Sequence, residues 1–245
     1  MAAPRFFVPS PLTGRRPGEM IELDDAVAHH ATRVTRLQPG DEMTLFDGTG
    51  GEFAVTLERV DKRGAAVQLQ RFVAIERESA LDVTLAQVIA ANDAMDYAVR
   101  KATELGVTAV RPLLTARSAR LPAGERSERR VAHWRQVAIA ACEQCGRNRV
   151  PEVLAPMSID AWLTEWQGPG IVLLPAANRS LASLAQPEAP LAILIGPEGG
   201  FEPREVRLAL AKNFQSVRLG PRVLRTETAA AAAVAVMQAL WGDFK

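Results

Sequence analysis

The chain has 245 residues, of which 48% are hydrophobic and 23% charged, and its formal net charge is +1. This composition is typical of an ordinary globular protein, and the near-zero charge excludes a uniformly basic coat, so an RNA site requires local clustering of charge. The first residues lack the apolar segment of a signal peptide, and the alanine-rich stretch near the C-terminus is too weakly apolar for a membrane span. We therefore expect a cytoplasmic protein without membrane contact.

The N-terminal third is rich in short strand patterns. Alternating apolar residues predict strands at residues 5–8, 20–23, 43–46, 52–57 and 65–69. Between them, Asp24 is a favourable N-cap for a helix that reaches Leu37. Short strands separated by turn sequences such as DGTGG predict a small β-barrel domain over residues 1–73. The polar segment 74–80 that follows predicts a linker.

A second domain, over residues 81–245, shows apolar strands that alternate with helical patterns. The predicted strands lie at residues 82–89, 109–114, 171–175, 191–195 and 216–220. Helical periodicity predicts one helix that ends at Gly106, one that carries the stripe from Val131 to Cys145, and one that follows Thr226. The alternation predicts a mostly parallel sheet covered by helices.

Two cysteines, Cys142 and Cys145, form a CxxC motif of the kind found in redox and zinc sites. One CxxC without a second pair or nearby histidines is half of a zinc site, and no thioredoxin-like strand precedes this one. Because the two cysteines continue an apolar helical stripe, we expect them to be buried and reduced, and we expect no metal.

The strongest local pattern is LAILIGPEGGFEPRE, which begins at Leu191. It combines a buried strand, a glycine turn from Gly196 to Gly200, and Pro203 at the first position of a helix. Such a turn lets backbone approach a ligand at the carboxyl end of a strand, although plain turn chemistry explains it equally well. It lacks the GxGxxG spacing of a dinucleotide site and the ending of a P-loop.

Basic residues accumulate between residues 117 and 149. They are Arg117, Arg120, Arg126, Arg129, Arg130, Arg135, Arg147 and Arg149. The run fits a solvated helix face with local ion pairs, and it also fits a surface that contacts phosphates. Because only Glu125, Glu128 and Glu143 oppose it locally, we favour an RNA-binding surface.

Six segments, taken in order, resemble the RsmE family of SPOUT-class RNA methyltransferases over nearly the whole chain. They are RFFV at Arg5, HHATRVTRLQPGDEMTLFDGTGGEF at His29, KATELGV at Lys101, CEQCGRNRVPEV at Cys142, IGPEGGFEPREV at Ile195 and LGPRVLRTETA at Leu219. Each motif is weak alone, whereas their order and spacing together are highly specific. The chain departs from the family at 90–93, where similar sequences often carry a lysine.

The resemblance implies an α/β fold in which a PUA-like β-barrel precedes a SPOUT domain with a C-terminal trefoil knot. It implies a homodimer that holds S-adenosyl-L-methionine in the knot and methylates N3 of a uridine in 16S ribosomal RNA. The partner would be that RNA or the small ribosomal subunit. Two alternatives remain: a SPOUT enzyme for another RNA nucleotide, such as a tRNA ribose, and a non-catalytic RNA-binding ribosome assembly factor.

The resemblance also implies which residues form the site. The expected cofactor-binding residues are Leu174, Pro175, Ile195, Gly196, Pro197, Gly199, Gly200, Leu219, Gly220, Val223, Leu224, Thr226 and Ala229. Because uracil N3 carries a proton, we expect Arg225 to stabilise the uridine anion, and Glu198 or Glu227 to accept the proton or to orient Arg225. The expected RNA contacts are Arg5, Arg36, Arg117, Arg120, Arg129, Arg130 and Arg147.

Overall fold

The computed structural model describes residues 3–62, 64–119, 124–188 and 190–244. Contacts divide the chain into two compact units. The first contains the residues up to Glu78 together with Cys142–Val150, and the second contains Ser79–Ala141 and the residues from Pro151 onward. We keep 1–73 and 81–245 as proposed domain limits; the contacts additionally place Cys142–Val150, which begins with the CxxC motif, in the first unit.

A five-stranded sheet forms the first unit. Its strands are β1 (Arg5–Phe7), β2 (Met20–Glu22), β3 (Glu42–Phe46), β4 (Glu52–Asp61) and β5 (Gly64–Val73). They follow the order β1-β3-β4-β5-β2, in which β1 and β3 are parallel and the other neighbours antiparallel. All five predicted strands are present. Burial alternates along β4, where Phe53, Val55 and Leu57 enter the core, as a half-buried strand requires.

The helix predicted after Asp24 is shorter than expected. Helix α1 (Asp25–His29) passes directly into a π-helical turn, His30–Val34. Arg36 then adopts a left-handed backbone with φ of 63°, a conformation that a helix does not contain. The prediction that the helix reaches Leu37 was therefore wrong by several residues.

Residues 74–78 contain no helix or strand, but their carboxylates are engaged within the first unit. Glu78 accepts a hydrogen bond from Arg147 Nε at 3.0 Å, and Glu76 accepts one from Arg149 Nε at 3.0 Å. The first pair is nearly buried, with side-chain exposures of 5% for Arg147 and 18% for Glu78, whereas the second is exposed. The segment predicted to be a linker thus supplies the partners of two arginines from the basic run.

A parallel sheet forms the second unit. Its strands are β6 (Val83–Val88), β7 (Ala109–Leu114), β8 (Glu152–Val153), β9 (Met157–Ser158), β10 (Gly170–Leu173), β11 (Leu191–Ile195) and β12 (Phe214–Val217). The order is β12-β10-β11-β6-β7-β8, with β9 also on β7, and every pairing is parallel. This confirms the predicted parallel sheet. β8 and β9 were not predicted, because two residues carry no periodicity.

Helices cover this sheet, as the alternating pattern predicted. They are α2 (Asn92–Glu104), α3 (Glu125–Cys145), α4 (Ile159–Glu165), α5 (Pro203–Ala211) and α6 (Thr226–Trp241). The central strands β6 and β11 are buried at every residue. Because the strands are parallel, the carboxyl ends of β6, β10 and β11 meet at one edge of the sheet, where a ligand site is expected. No helix in the described residues is long and apolar enough to cross a membrane.

The two cysteines end α3 and are both free. Cys142 is buried as predicted, and burial raises the pKa of its thiol to about 12, so the thiol stays protonated at neutral pH. Cys145, the last residue of α3, is only partly buried, contrary to the prediction.

The nearly buried pair between Arg147 and Glu78 gives the first testable prediction. Glu78→Gln removes the charge that compensates the buried guanidinium and should lower the free energy of unfolding by about 3 kcal/mol. Glu76→Gln is the matched control, since its pair with Arg149 is solvent-exposed and its loss should cost less than about 1 kcal/mol. Urea titration followed by circular dichroism measures both, and equal effects would contradict the structural role of Glu78.

Candidate active site

Three segments converge on one cavity at the carboxyl edge of the parallel sheet. They follow strands β10, β11 and β12, and they enclose a volume of about 590 Å³. This volume lies within the usual range of small-molecule sites. The lining residues are Leu173, Leu174, Pro175, Ala176, Ile195, Gly196, Pro197, Glu198, Gly200, Phe201, Val206, Leu219, Gly220, Arg222, Val223, Leu224, Arg225, Thr226 and Ala229. Most of them are apolar, so the cavity suits a ligand with a flat apolar face.

Glycines let the backbone come close to this cavity. A Cβ on Gly196 would stand only 2.9 Å from the Phe201 ring, so only glycine fits under that ring. Gly200 and Gly220 have φ values of +69° and +68°, which disfavour any side chain. Both of these line the cavity and have open space where a Cβ would be. The turn after β11 therefore needs glycine at Gly196 and Gly200, and Gly200 leaves open space beside the cavity.

The same turn is fixed from two directions. Buried Glu205 accepts a hydrogen bond from the Glu202 amide at 2.8 Å, as part of a capping box at the start of α5. Its other carboxylate oxygen accepts the Ala116 amide at 2.9 Å, which joins the turn to the loop after β7. From that loop, Arg117 donates to the Gly199 carbonyl at 2.9 Å. These contacts make the turn after β11 a braced element of the site.

A chain of hydrogen bonds connects two strand ends to the last helix. The Thr226 hydroxyl donates to the Gly196 carbonyl at 2.7 Å and accepts from Gln87 Nε2 at 2.9 Å. Gln87 is fully buried in β6, and its amide also donates to the Val88 carbonyl at 2.9 Å. The position of α6 relative to the turn after β11 thus depends on the buried side chains of Gln87 and Thr226 and on the partly exposed Gly196 carbonyl.

A second cavity of about 580 Å³ adjoins the first and shares Glu198 and Arg225 with it. Its other lining residues are Ala91, Asp93, Ala94, Tyr97, Glu227 and Thr228. Arg225, Glu198 and Glu227, the expected reactive groups, therefore all line the second cavity, and the first two lie at its junction with the cofactor cavity. In the described part of the chain neither carboxylate lies within ion-pair distance of Arg225, so the expected orienting contact is not formed.

Comparison with known proteins decides the family. Residues 77–238 match the model of an RNA methyltransferase domain, and residues 23–70 match that of an RNA methyltransferase PUA domain. The ribosomal RNA small subunit methyltransferase E of Buchnera aphidicola is 32% identical, over 91% of this chain and 89% of that protein. The protein of the same name from Synechocystis is 36% identical, over 90% and 73%.

The chain belongs to the ribosomal RNA small subunit methyltransferase E family. A methyltransferase E of Neisseria gonorrhoeae, solved with S-adenosylmethionine bound, matches the whole of both chains at 36% identity with a TM-score of 0.92. A Legionella pneumophila methyltransferase, also solved with this cofactor, matches both chains completely at 36% identity with a TM-score of 0.95. The mixed α/β fold with a PUA-like part and a methyltransferase part, expected from the resemblance, is confirmed.

The cavity of this family member fits S-adenosylmethionine by its own features: an apolar lining, open backbone at two glycines, and Gly196 pressed under Phe201. All predicted cofactor-binding residues line it except Gly199, whose carbonyl faces Arg117. Sequence reasoning missed Leu173, Ala176, Phe201, Val206 and Arg222. Phe201 and Arg222 could have been found, because each lies within or beside a glycine turn that was already chosen.

The predicted RNA-binding arginines separate into two groups. Arg147 is 4% exposed and binds Glu78, and Arg5 pairs with Glu52 and donates to Asn148 Oδ1 at 2.6 Å. Both guanidinium groups hold the first unit together, so we leave them out of the RNA surface. Arg36, Arg117 and Arg129 are exposed and Arg130 is partly exposed, while Arg120 lies outside the described residues.

The role of the Thr226 hydroxyl can be tested by substitutions that leave the other residues of the cavity wall unchanged. Thr226→Val leaves the Gln87 amide and the Gly196 carbonyl without their shared partner, and it should weaken S-adenosylmethionine binding about tenfold. Thr226→Ser keeps the hydroxyl and is the matched control, with an affinity close to that of the original protein. Isothermal titration calorimetry measures both, and an unaffected Thr226→Val would show that the hydrogen-bond chain does not shape the cavity.

Proposed function

We propose that this chain is an S-adenosylmethionine-dependent methyltransferase that acts on N3 of a uridine in 16S ribosomal RNA. The observation that carries the proposal is the pair of adjoining cavities that share Arg225 and Glu198. A cofactor-sized apolar cavity that opens through a cation and a carboxylate into a second cavity is the arrangement that group transfer between two bound molecules requires. The names of its methyltransferase E relatives support the ribosomal substrate.

The chemistry sets what the residues must do. S-adenosylmethionine supplies a methyl group on a sulfonium centre when bound. Uracil N3 becomes a nucleophile only when its proton leaves, and the resulting anion spreads its charge onto the two flanking carbonyl oxygens. Arg225 stands at the junction of the cavities and offers donors for such an oxygen, which stabilises the anion. Glu227, at the first turn of α6, and Glu198 are the acceptors for the proton.

We also propose the trefoil knot that the resemblance implies. The path of the chain supports the knot. Strand β12 lies at the edge of the sheet beside β10, whereas the next helix, α6, begins with Thr226, which is hydrogen-bonded at the carboxyl ends of β11 and β6. The segment between them, Leu219–Arg225, therefore crosses back over the carboxyl edge of the sheet. Ala229, Ala230 and Ala233 are buried along α6, which allows close passage of backbone.

The proposed partners are 16S ribosomal RNA or the small ribosomal subunit and a second copy of this chain. Exposed apolar side chains of the second unit, Val223 at 80% and Phe244 at 51%, would gain from burial in such a dimer. For the RNA, Arg117, Arg129 and Arg130 in the second unit and Arg36 in the first are the available cations. A ribosomal substrate would place the protein in the cytoplasm.

Mapping of the modified nucleotide tests the function. Methylation of N3 blocks the base-pairing edge of uridine, so reverse transcription of 16S ribosomal RNA should stop at one site after treatment with the protein and cofactor. Methylation of a ribose leaves that edge free and would favour the other enzyme reading. Absence of cofactor binding in calorimetry would favour the assembly factor.

Arg225 gives the sharpest test of the reaction itself. Arg225→Gln removes the positive charge at the junction of the two cavities and should lower the single-turnover methylation rate about 10²- to 10³-fold. Because Arg225 is exposed and forms no ion pair within the described residues, the variant should remain folded and bind S-adenosylmethionine with similar affinity. A wild-type methylation rate in this variant would remove Arg225 from the mechanism.

The basic surface of α3 gives a separate prediction. The double variant Arg129→Gln, Arg130→Gln should weaken RNA binding and reduce the slope of log affinity against log salt by about 1 to 2. The matched control is Arg207→Gln, Lys212→Gln, which removes two exposed charges from α5 and its end. Equal slopes for both double variants in filter binding would show that the α3 arginines form a solvated helix face and do not contact RNA.

A further inference from the structure

We propose that the second cavity is the subsite for a neutral pyrimidine base turned out of the RNA, and that Tyr97 is the ring on which this base stacks. The inference rests on the proposed function, because it concerns the acceptor of the methyl group. A displacement at a methyl carbon needs the nucleophile in line with the departing sulfur, so the base must reach the junction of the two cavities. Glu198 and Arg225 line both cavities at this junction.

The charge of the second cavity indicates what it admits. Three carboxylates, those of Asp93, Glu198 and Glu227, line it together with the single guanidinium of Arg225. A phosphate would be repelled by this balance, and the phosphate-binding cations lie elsewhere. A neutral base that presents an N–H donor between two carbonyl acceptors suits one guanidinium and neighbouring carboxylates, and uracil has this pattern at N3. The cavity therefore selects a base while the RNA backbone stays outside.

Tyr97 supplies the remaining wall. On helix α2, its neighbours Met95, Ala98 and Val99 are buried, whereas the Tyr97 side chain is 41% exposed and lines the cavity. Among the described residues its ring packs against no other aromatic ring, and the nearest cation is Lys101 Nζ at 6.0 Å from the ring centroid. An exposed ring in a cavity is the usual platform for an unstacked base.

Charged neighbours of Tyr97 on helix α2 are engaged in pairs of their own. Asp96 is bound to His133 Nε2 at 2.7 Å, and Lys101 is paired with Glu104 at 2.7 Å. Helix α2 also packs against α6, which carries Glu227 in its first turn. The ring and the polar groups that would read the base edge thus belong to two helices in direct contact, so their separation is fixed by the core of the second unit.

The chain contains a single tyrosine, and this makes a direct experiment possible. Protein labelled with ¹³C at the tyrosine ring gives one set of aromatic NMR signals. Titration with a single-stranded oligouridylate should move these signals upfield, and an oligocytidylate, which lacks an N3 proton, should move them less at equal occupancy. Ring signals that stay in place when filter binding shows a saturated complex would overturn the proposal.

Kinetics provide the second measurement. Tyr97→Leu should lower kcat/KM for ribosomal RNA about 10- to 100-fold, the range expected for the loss of one stacked base, with S-adenosylmethionine affinity retained in calorimetry. Tyr97→Phe keeps the ring and should recover most of the loss. Leu210→Ala, a truncation at a similarly exposed position on α5, is the control that should leave kcat/KM unaffected. A wild-type kcat/KM for Tyr97→Leu would overturn the stacking role.

The two proposals fail in different ways. If mapping finds no N3-methyluridine but the tyrosine signals move with uridine-containing RNA, the base subsite is supported and the proposed reaction is wrong. If mapping finds N3-methyluridine but the tyrosine signals do not move with RNA, the proposed subsite is wrong and the reaction assignment is retained. If Tyr97→Leu alters the molecular mass in sedimentation equilibrium, a second copy of this chain covers the ring and the subsite is excluded.

Discussion

The hydroxyl of Thr226 is the point on which the geometry of the site depends. A hydroxyl has one proton, and here it goes to the Gly196 carbonyl, so the oxygen must accept from the Gln87 amide. The carboxyl ends of β6 and β11 are thereby joined to the first residue of α6. Since Arg225 immediately precedes Thr226, the same contact sets where the guanidinium leaves the backbone. The contact thus fixes the backbone from which the cation of Arg225 extends, while the guanidinium itself stays in solvent.

The two adjoining cavities differ in charge, which bears on how a chain of nearly zero net charge would bind RNA under the proposed function. The cofactor cavity is mostly apolar and carries Arg222 and Arg225 at its margin, while the second cavity carries more carboxylates than cations. In the proposed function, surface arginines would attract phosphates over long range, and the acidic cavity would repel phosphates at close range. The two roles would then be separate, and neither would need a high overall charge.

Local signals in the sequence predicted the elements that surround the site, because those elements are local in origin. The run Leu191–Ile195 is uniformly apolar since the strand is buried on both faces, and Pro203 begins α5 because its backbone suits the first helical position. Gln87 gave no such signal, since one polar residue in an apolar strand resembles a surface position. Tyr97 also gave no signal of a functional role in the sequence. It lies between buried helical positions, and only the packing of α2 on α6 brings it to the cavity.

The basic run shows why charge counted along the sequence misleads. Arg147 and Arg149 lacked local partners, yet Glu78 and Glu76 reach them from about seventy residues away in the chain. The pair of Arg129 with Glu125 differs from the nearly buried pair of Arg147 with Glu78, because its two side chains are 77% and 84% exposed. Water and salt already weaken that contact, so a phosphate can replace Glu125 at little cost, whereas loss of Glu78 would remove a charge partner from a buried guanidinium. Arg129 therefore stays in the proposed RNA-binding surface, and Arg147 does not.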